Sequence, residues 1–392
     1  MKYMHSEWRR RLDHWIDTLK KDLYRPLGSI GTEAFFTMDH LTPGEASAQA
    51  FAPIAPGTPW GKTWEYCWLR GRITLPPEAA GKRIVMDLCT GGETTVFVGG
   101  RSFGTYRAGW VDVPHHFIED NCLATAGEAG RSYDLLLEAY AGHYYPESEN
   151  LGGCCTGPVL PGSYTDPREG KTRAVLGDMT YGIWTEDAYQ LYMDLHTLSL
   201  LADQVDEESL RADKLAGALE QATLIADFEQ PGEARAASYR AAREALRPAL
   251  EAVNGSTAPQ FYAIGNAHLD LAWLWPMAET HRKTSRTFAA QLRLMEEYPE
   301  YKYLQSQPAA YVMCREHYPE LYERIRQAAG KGQWIPEGAM WVEPDTNMTS
   351  GESLVRQVIH GKRSPSLYDQ KIFWVTRYRT PQPLRIWGSA AE

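Results

Sequence analysis

The stretch GNAHLDLAWLWP, Gly265–Pro276, sets an imidazole and a carboxylate two residues apart, His268 and Asp270, with Trp273 and Trp275 just beyond. The run leading into it reads as a strand, and strand residues at i and i+2 project from one face. A nitrogen donor beside an oxygen donor is a sound first half of a Zn²⁺ site with room for substrate, the remaining ligands coming from later strands. The same spacing also suits a plain hydrogen-bonded His–Asp pair. Trp273 can cover the apolar face of a sugar, or pack beneath its own loop. Glu343 and Asp345, in GAMWVEPDTN, again stand at i and i+2 after a strand-like run. They suit the binding of substrate hydroxyls, or the capping of the helix that follows. Glu352 and Arg356, at i and i+4, read as a surface ion pair.

The elements that must position these residues alternate between strand and helix. After a linker at Asn254–Gln260 come strand-like FYAIGNAHLD, a long helix through TSRTFAAQLRLMEEY and a strand YKYLQSQ. A helix from about Pro308 to Ala329, a strand WIPEGAMWVE and a helix from about Ser350 to His360 follow. Such β/α units imply the start of a parallel barrel or open sheet, with chemistry at the carboxyl ends of its strands. Upstream, residues 5–24 place Trp8, Leu12, Trp15, Ile16 and Leu19 at helical spacing. Short β-branched and aromatic runs from Trp60 to about Tyr145 predict an antiparallel sandwich. Residues 145–180 read as loops and 186–250 as helix. The expected class is therefore α+β multidomain. Residues 1–255 hold the N-terminal helix, an antiparallel β-sandwich and a helical connection; 256–363 hold the first β/α units of a barrel; 364–392 form a tail of different character.

With 392 residues the chain exceeds one ordinary core. A net charge of −10 argues against nucleic acid as a partner. Thirteen Trp and 22 Tyr suit either sugar binding or β-rich cores. The six cysteines show no framework spacing, which points to free thiols in a reducing compartment. No apolar leader core and no membrane-length apolar window is present, so a cytoplasmic location is expected. His115, His116 and His143 read as ordinary loop or rim residues.

GNAHLDLAWLWPMAETHRKTSRTFAAQLRLMEEYPEYKY, EHYPELYERI and GQWIPEGAMWVEPDTNMTSGESLVRQVIHGKR, from about Phe261 to Arg363, resemble glycoside hydrolase family 38, the metal-dependent retaining α-mannosidases. The likeness is greatest to the cytosolic and bacterial branch, whose β-rich N-terminal domain WGKTWEYCWLRGRITLP and LLLEAYAGH also resemble. The resemblance implies a (β/α)₇ barrel, a mannose-containing oligosaccharide as substrate, and a chain that is often homo-oligomeric. It matches His268 and Asp270 to the first two ligands of Zn²⁺, or of another divalent metal such as Co²⁺, and Trp273 to the aromatic stacked on mannose. The metal is expected to hold the sugar's 2- and 3-hydroxyls, while a nucleophilic Asp and an acid/base residue carry the retaining reaction.

The chain then departs from the family. Where the family has a Trp-Leu-Pro-Asp-like motif supplying the nucleophile, Lys371–Trp374 is followed by Val-Thr-Arg-Tyr, and Asp369 lies before the strand. No catalytic residue is assigned. Codons for Val375–Tyr378 read one base forward can give Leu-Pro-Asp-Thr, so a frameshifted, truncated chain with little activity of its own is expected. One alternative is a non-catalytic carbohydrate-binding protein that uses the β domain and its aromatics. Another is a sugar-deacetylase-like metal hydrolase. That one wants further histidine ligands, whereas His281, His317 and His360 fall on expected helices.

Overall fold

The computed structural model describes residues 6–62, 64–106, 121–142, 174–255, 257–259, 261–273, 275–336, 338 and 340–363. His115, His116, His143 and the 364–392 tail, read above from sequence, lie outside them.

Helix α1 (Ser6–Asp22) forms where the sequence predicts it. Its apolar stripe, Leu12, Ile16 and Leu19, is buried against three helices. These are α3 (Glu186–Ala202), α4 (Leu210–Ile225) and α5 (Gly232–Leu250). Ser209 caps α4 by accepting from the Ala212 amide. Leu195, Leu219, Tyr239 and Leu246 fill the centre of this bundle.

The sandwich begins earlier than its sequence signal. Strands β1 (Tyr24–Ser29) and β2 (Thr32–Thr37) precede Trp60, as does the short β3 (Ala52–Ile54). Pro26 and Gly28 hide β1, and both are accommodated at a bulge where β1 pairs with β12 (Met179–Trp184). Opposite Pro26 stands Gly182, where a Cβ would sit 2.2 Å from the Arg25 carbonyl oxygen. One sheet has the order β1-β12-β6-β9, with β6 at Ile84–Leu88 and β9 at Cys122–Ala124. The other has the order β3-β2-β5-β10-β7-β8. Its remaining strands are β5 (Tyr66–Thr74), β7 (Glu93–Val98), β8 (Arg101–Tyr106) and β10 (Ser132–Tyr140). A further two-stranded pair joins β4 (Pro59–Trp60) to β11 (Ala174–Val175). All these ladders are antiparallel.

Alternation along β5 and β10 explains their nearly continuous apolar character. Cys67, Leu69, Leu135 and Leu137 face the sandwich interior with Ile84, Met86 and Ile183. Tyr66, Trp68 and Tyr140 face the opposite side, where Phe97 and Trp64 join them. That second face is covered by helix α6 (Met277–Glu297), which packs on β7 and β8.

Six charged side chains are sunk in this seam. Arg282 donates to Glu138 at 2.5 Å, Arg286 to Glu279 at 2.7 Å, and Lys283 to Glu93 at 2.5 Å. Arg286 also reaches Glu93 at 2.7 Å, and the Tyr66 hydroxyl donates to Glu279 at 2.9 Å. Burial works to raise the Glu93 carboxyl, but Arg286 and Lys283 outweigh it and hold it well below the usual range. Burial pushes Glu138 up to about 7, against the pull of Arg282. Three cations facing three carboxyls balance in formal charge, which is the condition for burying charges at tolerable cost.

The remaining residues form the start of a parallel α/β arrangement. Strands β13 (Tyr303–Gln305) and β14 (Trp334–Pro336) pair in parallel, and Gly265 bridges to Tyr303 on the other side. The strand expected over Phe261–Asp270 is reduced to that bridge: Gly265 donates to Lys302 O and accepts from Leu304 N. The single helix expected over 308–329 is two, α7 (Pro308–His317) and α8 (Pro319–Gly330). Pro319 bars its predecessor from helical geometry, and Tyr318 sits at φ −139°. Helix α9 (Gly351–Arg363) closes the described region and carries the expected Glu352–Arg356 pair at 2.9 Å. Phe288, Tyr303, Tyr311 and Trp334 build the core of this unit. Among the described residues no helix is long and apolar enough to cross a membrane.

Arg286→Ala takes the guanidinium from Glu279 and one of two cations from Glu93, leaving them the Tyr66 hydroxyl and Lys283, so urea denaturation should show a loss of about 3–5 kcal/mol. Arg356→Ala, on the exposed pair, should leave the transition nearly unmoved. Because Glu93 has a depressed folded pKa, its contribution is present above the ordinary value of 4.5 and is lost as pH falls below it. The melting temperature of the wild type should therefore drop more steeply below that pH than that of Glu93→Gln.

Candidate metal and substrate site

The three neighbouring segments Gly265, β13 and β14 run in parallel, and the candidate residues lie past their carboxyl ends. A Cβ at Gly265 would lie 2.1 Å from the Tyr301 hydroxyl, so a larger residue there has to displace that ring. Three residues on, His268 Nε2 lies 3.0 Å from Asp270 Oδ1. On the far side of the ring, His268 Nδ1 lies 3.5 Å from Glu343 Oε2. The structure thus brings His268, Asp270 and Glu343 together.

The loop that bears the pair is tied at two points. Leu269 O accepts from Gln307 Nε2 at 2.8 Å, and Leu271 O accepts from Thr280 Oγ1 at 2.8 Å. Thr280 belongs to the first turn of α6 and is fully buried. It also accepts from Trp275 Nε1 at 3.1 Å, so this tryptophan turns inward, with Lys283 Nζ 4.3 Å from its ring centre. Trp273, by contrast, is 57% exposed and presents its indole to solvent rather than packing beneath the loop.

Glu343 is held by groups that the sequence did not flag. Its Oε1 accepts from Ser306 Oγ at 2.7 Å, and its amide donates to Gln307 Oε1 at 3.2 Å. Burial pushes its carboxyl above the ordinary range; Ser306 and His268 oppose the rise and Asp270 adds to it. Gln307, 3% exposed, joins the Leu269 and Glu343 backbones through one amide. Its signal was its place: Ser306 and Gln307 follow β13 and precede Pro308 at the start of α7, the strand end where such sites are built. Asp345 plays a different part. Its Oδ1 accepts from the amides of Asn347 at 2.7 Å and Met348 at 3.1 Å, a turn-forming role ahead of α9.

A cavity of about 480 Å³ opens over these residues, lined by His268, Asp270, Gln307, Trp341, Glu343 and Asp345 among others. Trp273 is not among its walls. The His268–Asp270 pair fits one half of a tetrahedral N/O set, its donors adjacent and solvent-accessible. Among the described residues no group of three His, Cys, Asp or Glu side chains is placed to complete such a set. His281 and His317 stack on each other at 4.2 Å between ring centres, on α6 and α7, and His360 lies on α9.

Against this geometry, residues 258–367 match the glycosyl hydrolases family 38 N-terminal domain, and residues 31–142 match an α-mannosidase jelly roll domain. The resemblance read from the residues is borne out by both matches: the chain is similar to the N-terminal portion of family 38 α-mannosidases. It is 27% identical over 345 residues to α-mannosidase 2C1 of Mus musculus, covering 88% of this chain and 31% of that protein. It is 29% identical to α-mannosidase 2C1 of Homo sapiens, covering 84% of this chain and 30% of the relative, and 28% identical to α-mannosidase G of Dictyostelium discoideum, covering 78% and 26%. The chain therefore spans less than a third of the length of these relatives. Among solved structures, a Ruminococcus gnavus β-glucuronidase aligns with a TM-score of 0.26 at 14% identity, over 42% of this chain and 28% of that one.

Gln307→Leu removes both bonds, one buried and one part-buried, at nearly constant volume and takes the partner from a carbonyl and an amide. Stability should fall by about 1–3 kcal/mol. Hydrogen exchange should quicken at the Glu343 amide while the α8 amides keep their protection.

Proposed function

We propose that this chain is the N-terminal part of a retaining, Zn²⁺-dependent α-mannosidase that hydrolyses terminal α-D-mannosides of oligosaccharides in the cytoplasm. The observation that carries this reading is the adjacency of His268 Nε2 and Asp270 Oδ1 past the end of a parallel ladder, inside the segment similar to family 38. In this reading residues 1–255 brace a (β/α)₇ barrel that begins at 256.

His268 and Asp270 would hold Zn²⁺, or Co²⁺ in its place, as two of its ligands. The bound metal supplies Lewis acidity and a template for vicinal sugar hydroxyls. Glu343 faces His268 from the opposite side of the ring and fixes its orientation, as carboxylates beside ligand histidines commonly do. Its remaining acceptor capacity is turned to the cavity, where a sugar hydroxyl can donate to it. The exposed Trp273 indole offers a flat apolar face on which a pyranose can stack. Asp345, engaged by two amides, contributes at the rim of the cavity.

Retaining hydrolysis needs a nucleophile and an acid/base carboxyl roughly 5–5.5 Å apart. With Val-Thr-Arg-Tyr after Trp374 in place of the family's Asp-bearing motif, this chain is proposed to turn over little or no substrate by itself. Isothermal titration should show Zn²⁺ binding that is lost in His268→Ala and in Asp270→Ala, and p-nitrophenyl α-mannoside should be hydrolysed barely above background. Robust hydrolysis would contradict the missing nucleophile. Metal binding indifferent to both substitutions would contradict the ligand assignment.

A further inference from the structure

A second cavity, of about 650 Å³, lies on the six-stranded sheet among β2, β5, β10 and the short helix α2 (Pro43–Ser47). The reading above gives it no role. Its walls include Glu33, Phe51, Arg70, Arg72 and Asp134. Glu33, Arg70, Arg72 and Asp134 project from the same face of the sheet as Tyr66 and Glu138, beyond the part that α6 covers.

We propose that this cleft binds a neutral oligosaccharide. The side chains are set in two matched pairs: Arg70 Nε with Glu33 Oε2 at 2.6 Å, and Arg72 Nε with Asp134 Oδ1 at 3.3 Å. Arg70 Nε donates to Glu33 Oε2, while Arg72 and Asp134 face each other as an exposed ion pair; each guanidinium has five N–H donors and each carboxylate two acceptor oxygens, more than its pair contact uses. A donor beside an acceptor is what a pair of sugar hydroxyls needs, since each hydroxyl gives one hydrogen bond and takes others.

Orientation is supplied by packing. The Arg70 guanidinium lies over the Phe51 ring at 4.5 Å, and Phe51 meets Phe35 edge-on at 4.8 Å. Gly31, Gly44 and Gly100 line the cleft, and a Cβ at any of them would meet nothing within 4 Å, so a ligand can approach the backbone there closely. Two Arg against Glu33 and Asp134 sum to zero, which disfavours phosphate or an acidic peptide and favours an uncharged, hydroxyl-rich ligand. The volume lies within the roughly 300–1,000 Å³ of small-ligand pockets, with room for more than one ring.

The test is an NMR titration of the whole chain with α-linked mannotriose, with maltotriose and mannose 6-phosphate in parallel. A neutral trisaccharide should shift the β2, β5 and β10 amides with millimolar affinity. Arg72→Gln and Asp134→Asn change only an exposed pair, so the fold survives and the circular dichroism melt confirms it. Each should weaken the shifts on the sheet about tenfold in affinity through loss of a charged hydrogen bond, while in His268→Ala the shifts of the β2, β5 and β10 amides stay as in the wild type. Sugar binding that is lost in His268→Ala and kept in Arg72→Gln overturns the cleft and leaves the mannosidase reading standing. Absence of shifts on the sheet, or preference for mannose 6-phosphate, also overturns it.

Discussion

Helix α6 lies on the sandwich through six charges, five buried and Glu93 half-buried, and the candidate site depends on that docking. Each charge alone would cost roughly several kcal/mol to desolvate. Together, Glu93, Glu138 and Glu279 balance Arg282, Lys283 and Arg286 in formal charge. Such a set adds little stability over an apolar seam of equal volume, but it punishes misplacement. Turning or sliding α6 by one residue strands a guanidinium or a carboxylate in a dry interface, so the network selects one register.

From that register the order passes outward in short steps. The first turn of α6 holds Leu271 O through Thr280, and the loop between Gly265 and α6 carries His268, Asp270 and Trp273. Gln307 ties the same loop at Leu269 to the segment bearing Glu343. Ser306 then fixes the Glu343 carboxylate, which faces His268. The imidazole stands between two carboxylates, each positioned from a different strand end. Exposure at His268 and Trp273 leaves both accessible to a ligand, while the bonds that aim their loop are buried.

Much of this was legible in the sequence because it rests on periodicity. The amphipathic stripe of α1, the alternation in β5 and β10, and the i, i+2 spacing of His268 and Asp270 are all local patterns. What escaped was set by partners distant in sequence. Strand β1 carries Pro26 and Gly28, which read as a turn and become a bulged strand only opposite Gly182. FYAIGNAHLD has strand composition, yet only Gly265 finds ladder partners. MAETHRK, at the start of α6, reads as an ordinary polar helix face. Nothing local says that Glu279, Arg282, Lys283 and Arg286 are buried, because Glu93 and Glu138 lie on sandwich strands more than a hundred residues earlier in the sequence. Gln307 was passed over for the same reason: an amide announces neither of the backbones it joins.

The most direct test of the central claim is crystallographic. Crystals of this chain soaked in Zn²⁺ and measured at the zinc absorption edge should give an anomalous peak within about 2.0–2.2 Å of both His268 Nε2 and Asp270 Oδ1, with Glu343 still facing Nδ1. An anomalous peak elsewhere, or a soaked structure in which His268 and Asp270 keep only their mutual hydrogen bond, would contradict it.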